Sequence, residues 1–171
     1  IMIRTAECIT PKHPDKICDR ISDAILDACL EQDPNTRAAI ETMGGHGIIS
    51  VTGELTTTAY VEIPDIVRSV YDDEIGIQTN IVKQSPEISQ GVDTGGAGDQ
   101  GIMIGYACNE NEEFVPQEYY LARKLCKFLY GKFPYDGKTQ VTMNGNSLRV
   151  VCSFQNAPGE ELRTLVLEYF E

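Results

Sequence analysis

At 171 residues and 42% hydrophobic content, the chain fits one ordinary domain or two small ones with a real core. A net charge of −12 argues against nucleic acid and against anionic membrane surfaces, because both demand concentrated Lys and Arg; a polyphosphate ligand stays open, since bound cations and a few local Lys residues reverse the field inside a pocket. No apolar run approaches the ~18 residues that span a membrane, no secretory leader pattern is read at the start, and the six cysteines show no Cys-x-x-Cys or zinc spacing, so reduced core thiols in a cytoplasmic protein are expected.

Arg4 to Ile9 reads as a strand, and Pro14 to Glu31 as a long helix. Proline suits the first turn, Ile17, Ile21, Ile25 and Ala28 recur at helical spacing, and Asp33-Pro34-Asn35 stops the helix. Strands are expected over Arg37 to Thr42 and Ile48 to Thr57, joined across Gly44-Gly45-His46-Gly47, then a helix over Asp65 to Glu74 and a strand or loop over Ile75 to Val82. A glycine-rich segment, Gly95-Gly96-Ala97-Gly98-Asp99-Gln100-Gly101, leads into an expected apolar strand at Ile102 to Ala107. The acidic stretch Asn109 to Pro116 reads as a linker. A helix over Gln117 to Tyr130 follows, with Leu121, Leu125 and Phe128 on one side. Gln140 to Met143 and Leu148 to Phe154 flank Asn144-Gly145, a strong hairpin signal. The last helix starts near Asn156-Ala157-Pro158, with Glu160 and Glu161 in its first turn. Hairpins mixed with crossovers favour an α+β fold. Two domains, 1–110 and 115–171, are expected, the second too short to bury much by itself.

Several residues have the chemistry of a site. His13 and Asp15 bracket Pro14 at a helix entry, where free N–H groups and the dipole favour phosphate. Asp15 offers hard oxygen for Mg²⁺; equally, it complements the dipole while His13 acts as a surface cap. Glu41 and Glu54 are acids in strands, where acids are depleted. They read either as solvent-facing or as a cation site. Lys83-Gln84-Ser85-Pro86-Glu87-Ile88 is an ordinary turn or part of a mobile lid that continues into Gly91-Val92-Asp93. Asp136-Gly137-Lys138 by itself reads as a plain turn.

Taken together, the motifs resemble the N-terminal half of the methionine adenosyltransferase (S-adenosylmethionine synthetase) family. The matching blocks run in order along nearly the whole chain. They are Thr5-Ala6-Glu7, His13-Pro14-Asp15-Lys16-Ile17-Cys18-Asp19, Ile21-Ser22-Asp23-Ala24-Ile25-Leu26-Asp27, Glu31-Gln32-Asp33-Pro34, Glu41-Thr42 and Gly53-Glu54-Leu55-Thr56-Thr57. They continue with Lys83 to Ile88, Gln90-Gly91-Val92-Asp93, Gly96 to Gly101, Gly105-Tyr106-Ala107 and Asp136-Gly137-Lys138-Thr139-Gln140-Val141. The resemblance implies an α+β fold of the S-adenosylmethionine synthetase type, with mixed sheets and helices packed on one face. It also implies transfer of adenosyl from ATP to the sulfur of L-methionine, with phosphate and diphosphate released and Mg²⁺ and K⁺ assisting.

Carried over by position, His13 contacts the phosphates near the breaking bond, and Asp136, Gly137 and Lys138 join it in binding ATP. His13 and Lys138 are the implied catalytic residues. Glu7, Glu54, Gln84 and Asp99 are implied at methionine, Asp15 at Mg²⁺ and Glu41 at K⁺. The chain departs from the family pattern at Pro11-Lys12, where Glu-Gly is usual, and in shortened segments between Gly76 and Lys83 and between Asp93 and Gly96. It also stops near the middle of the family's length. The expectation is therefore one subunit of a split enzyme, completed by a second chain with the C-terminal half, a homo-oligomer being a further possible assembly. The alternatives are a fragment of a full-length enzyme and a non-catalytic binding or regulatory relative.

Overall fold

The structure, a computed structural model, describes residues 2–71 and 74–171. In chain order the elements are β1 (Arg4–Ile9), α1 (Pro14–Leu30), β2 (Arg37–Gly45), β3 (Ile48–Thr56), α2 (Ile63–Val70), β4 (Gly76–Val82) and α3 (Pro86–Asp93). Then come α4 (Gln117–Tyr130), β5 (Gly137–Asn144), β6 (Ser147–Phe154) and α5 (Gly159–Phe170). The fold is α+β, as expected. The chain packs as two compact units, one of Ile1–Lys16 with Ile104–Glu171 and one of Ile17–Met103. The first strand thus folds with the second half of the chain.

In the first unit β1, β5 and β6 form an antiparallel sheet in the order β1-β5-β6. Ala122, Leu125, Cys126 and Leu129 recur at helical spacing and are the buried stripe of α4. Leu125, Cys126 and Leu129 pack with Phe133, Phe154 and Leu162. The stripe lies one residue round from the expected Leu121, Leu125 and Phe128, because small Ala122 sits where Thr139 of β5 donates from Oγ1 to the Ala122 carbonyl at 2.7 Å. The β5–β6 hairpin turns at Gly145, whose φ of 58° suits the first central position of a type II′ turn. Asn144 itself pairs with Ser147, so the turn sits one residue later than Asn-Gly spacing implies.

The acidic stretch is not a free linker. Arg4 Nη1 meets Glu110 Oε1 at 2.6 Å, Gln117 N donates to Glu110 Oε2 at 2.9 Å, and Asn111 Nδ2 donates to the Val115 carbonyl at 2.7 Å. The Arg4 hydrogen bond holds the Glu110 carboxyl below its ordinary range.

In the second unit β2 and β3 form a hairpin, and β4 adds parallel to β3 after the α2 crossover. His46 (φ 50°) and Gly47 (φ 83°) are its two turn residues, the signs a type I′ turn requires. Ile21 and Ile25 of α1, Ile49 and Val51 of β3 and Val67 of α2 make one core. Three local expectations differ. The stretch Pro86–Asp93 is helix α3 rather than loop, started by Ser85, whose Oγ accepts from Ile88 N. The helix expected over Asp65 to Glu74 ends at Val70, and its Asp72 and Asp73 lie outside the described residues. Ile102 to Ala107 forms no strand; Ile102, Met103 and Ile104 are about nine-tenths exposed. A strand needs a neighbour for its N–H and C=O groups, and no described strand pairs with this segment.

Asp33 closes the chain after α1. Its Oδ1 accepts from Asn35 N at 2.9 Å; its Oδ2 accepts from Thr58 N at 2.8 Å, Thr58 Oγ1 at 2.9 Å and Thr57 Oγ1 at 3.3 Å. These donors, the Thr58 amide first, hold the carboxyl below its ordinary range. A carboxyl lowered in the folded state contributes stability above its unfolded pKa of ~3.9, and that stability is lost as pH falls through the folded value. Asp33→Asn should therefore lower the melting temperature at pH 7, and the gap to wild type should close as pH drops below ~4. The exposed Asp27→Asn is the control; equal melting of the two variants at pH 7 would refute the anchoring role.

Candidate functional site

Proline fixes the entry to α1, and His13 stands at its N-cap. The Asp15 backbone N–H donates to His13 Nδ1 at 3.2 Å. The capping reading of His13 is thus realised in its ring. The same bond assigns the neutral ring's proton to Nε2, which leaves Nε2–H as a donor. The Asp15 carboxylate lies 3.8 Å from Nδ1, and its side chain is 80% exposed.

Lys138 is in β5, not in a turn. It lies diagonally across from Glu7 of β1 on the face of the sheet away from α4, and Nζ meets Glu7 Oε2 at 3.1 Å. Thr10 secures this corner. Buried completely, its hydroxyl donates to the Tyr135 carbonyl and accepts from Gly137 N, both at 3.0 Å, while its own N–H donates to the Gly137 carbonyl at 2.9 Å. The Asp136 carbonyl accepts from Gln155 N at 2.9 Å. Gly137 leaves room for the Phe154 ring, since a Cβ there would stand 2.4 Å from it. Sequence reasoning missed Thr10; the available signal was a hydroxyl residue at the end of a strand, next to Pro11.

In the other unit, Glu41 pairs with Thr52 and Glu54 with Ala39, which places both acids on one face of the β2–β3 hairpin as diagonal neighbours. That face is the outer one, opposite Ile40, Val51 and the core. Gln84 follows β4, and its Oε1 is enclosed without a hydrogen-bond partner among the described residues. Asp99 is exposed, with Oδ1 accepting from Gln100 N at 2.7 Å. Arg37 of β2 is paired with Asp93 at the end of α3. So Glu7, His13, Asp15, Asp136, Gly137 and Lys138 belong to the first unit, and Glu41, Glu54, Gln84 and Asp99 to the second.

Among the described residues no group of three or more His, Cys, Asp or Glu is placed to hold a metal ion. Asp15 offers one exposed carboxylate beside the entry to α1. Glu41 and Glu54 together offer hard oxygens to a cation on one sheet face. No helix of the described residues is long and apolar enough to cross a membrane.

The α+β chain with its proline-led helix entry, strand-borne lysine and paired strand acids is matched by two models of one family. The family model for the S-adenosylmethionine synthetase N-terminal domain matches residues 1–93, and that for the central domain matches residues 94–168. The S-adenosylmethionine synthase of Clostridium tetani is 41% identical over 208 aligned positions, covering 98% of this chain and 53% of the relative. That of Corynebacterium glutamicum is 43% identical, covering 83% and 44%. The chain belongs to the S-adenosylmethionine synthetase family, and it spans about half the length of the curated relatives it matches. The 208-position alignment is longer than the 171-residue chain, so the relatives carry residues that this chain lacks within the shared region.

Proposed function

We propose that the chain acts in the cytoplasm as the N-terminal-half subunit of a split methionine adenosyltransferase, forming S-adenosylmethionine from ATP and L-methionine with release of phosphate and diphosphate. The observation that carries this reading is the pair of family matches, N-terminal then central domain, running through 168 of the chain's residues in order. The domain division at 1–110 and 115–171 belongs to the same reading. Thioether sulfur is a soft, neutral nucleophile and needs no general base. Catalysis then rests on alignment and on donors aimed at the leaving triphosphate.

His13 Nε2–H supplies such a donor, and Lys138 a positive charge, beside Asp136 and Gly137, for ATP. Glu7, Glu54, Gln84 and Asp99 hold methionine, and the unpartnered Gln84 Oε1 suits its ammonium group. Asp15 binds Mg²⁺ and Glu41 binds K⁺; when bound, these ions neutralise phosphate charge. The chain's own excess of acids, at −12, supports a partner that brings Lys and Arg to the triphosphate.

The test mixes the purified chain with the C-terminal half of the Clostridium tetani relative and follows S-adenosylmethionine by mass spectrometry. The chain alone should form none, and the mixture should form it with dependence on both halves. Turnover by the verified single chain overturns the split reading. A stable complex with no turnover overturns the catalytic one and favours a binding role. The intact mass in source extracts separates a subunit of 18.9 kDa from a piece of a longer protein.

A further inference from the structure

We propose that Cys8 and Cys126 form a two-thiol redox site that takes a hydroperoxide, with Cys8 as the attacking sulfur and Cys126 as the resolving one. The register places Cys8 opposite Thr139 on the face of the sheet covered by α4. The Thr139 hydroxyl lies 3.5 Å from the Cys8 carbonyl and donates to the Ala122 carbonyl at 2.7 Å. That carbonyl also accepts the helical N–H of residue 126, four positions on. One hydroxyl therefore touches both the strand bearing Cys8 and the helical turn bearing Cys126. Ala122, Cys126 and Thr139 are small, and they let helix and sheet approach closely. Cys126 belongs to the core cluster against which Cys8 packs, and the Cys8 thiol donates to the Ile9 carbonyl at 3.7 Å.

The two sulfurs differ in the way the chemistry requires. Cys8 is partly exposed, whereas Cys126 is only 2% exposed. The neighbouring Cys126 thiol, against the opposing effect of burial, and then the Arg123 charge, the Ile9 backbone and the Lys16 charge bring the Cys8 thiol down to about 7. Cys126 is pushed up by the neighbouring Cys8 thiol and by burial, so it keeps its proton. Burial also raises Cys29 and Cys152, which leaves them poor competitors.

In the first step the Cys8 thiolate attacks one peroxide oxygen and the O–O bond breaks. Hydroxide leaves and takes up a proton from solvent as water, and Cys8 becomes a sulfenic acid. In the second step the Cys126 sulfur attacks the Cys8 sulfur, the S–O bond breaks, and the departing hydroxide takes the Cys126 proton as water. Two thiols are oxidised to one disulfide, and one peroxide is reduced to two waters.

The test treats the full chain with one equivalent of hydrogen peroxide at pH 7, blocks the remaining thiols in denaturant, and maps peptides without reduction. The expected product is a Cys8–Cys126 linked peptide with four thiols blocked. In Cys126→Ala, dimedone should trap Cys8 as its sulfenic acid adduct. In the untreated native chain, iodoacetamide should label Cys8 roughly tenfold faster than Cys152, with a rate that rises through pH 7. This last reading needs no variant to fold. Equal labelling of Cys8 and Cys152, or a dominant disulfide through any other cysteine, overturns the proposal.

Discussion

Replacing His13 with alanine or asparagine should lower adenosyl transfer in the assembled two-half enzyme by ~10²–10³, the usual cost of one preorganised donor to a developing anion. The two substitutions separate the cap that the ring forms from the triphosphate role proposed for it. Nδ1 accepts the Asp15 amide and caps α1; Nε2–H is the donor proposed for the leaving triphosphate. Asparagine is among the best N-caps, whereas alanine in place of a capping side chain costs ~0.5–2 kcal/mol. Both variants should therefore lose rate, and only His13→Ala should also lose stability. Single-turnover measurement should show the transfer step suffering more than hydrolysis of added triphosphate, because only transfer breaks the bond at C5′. The Michaelis constant for methionine should move little. If His13→Asn kept the wild-type rate, the ring would be a cap and nothing more.

Gly53→Ala should be the most destabilising single change within the β2–β3 hairpin. Gly53 has φ of 138°, a conformation that L side chains rarely adopt, and an added Cβ would stand 2.0 Å from the Ala39 carbonyl oxygen across the strand pair. Backbone strain and overpacking each cost ~1–3 kcal/mol. A combined loss of ~3 kcal/mol or more corresponds to a fall of roughly 6–12 °C in melting temperature for a chain of this length. Glu54 follows directly and Glu41 shares its sheet face, so under the roles proposed for them any folded Gly53→Ala protein should also bind methionine and K⁺ less well in the assembled enzyme. Gly45→Ala is the control: nothing lies within 4 Å of a Cβ there, so its melting temperature should stay near or above that of wild type. Equal effects at the two glycines would show that the close approach at Gly53 is not what sets the hairpin.

Local periodicity and covalent geometry make most elements legible in the order of residues alone. The isoleucines of α1 repeat at helical spacing, Pro14 marks its start, and glycine-bearing turns close both hairpins; these are signals between near neighbours, and Ile21, Ile25 and the β2–β3 hairpin stand where such signals put them, with the β5–β6 turn one residue later. The motif blocks likewise point to the family, since residue type and order need no third dimension. What the sequence could not decide depends on contacts between distant positions. Apolar Ile102 to Ala107 reads as a strand, yet a strand exists only where a neighbour takes its hydrogen bonds. Lys138 reads as part of a turn, yet β1, over a hundred residues away, pairs with its segment and sets it against Glu7. Thr10, the enclosed Gln84 oxygen and the packing of Cys8 against the cluster that holds Cys126 are of the same kind. Each is created when a remote segment closes over a polar or sulfur atom, and that closure is a property of packing rather than of any local pattern.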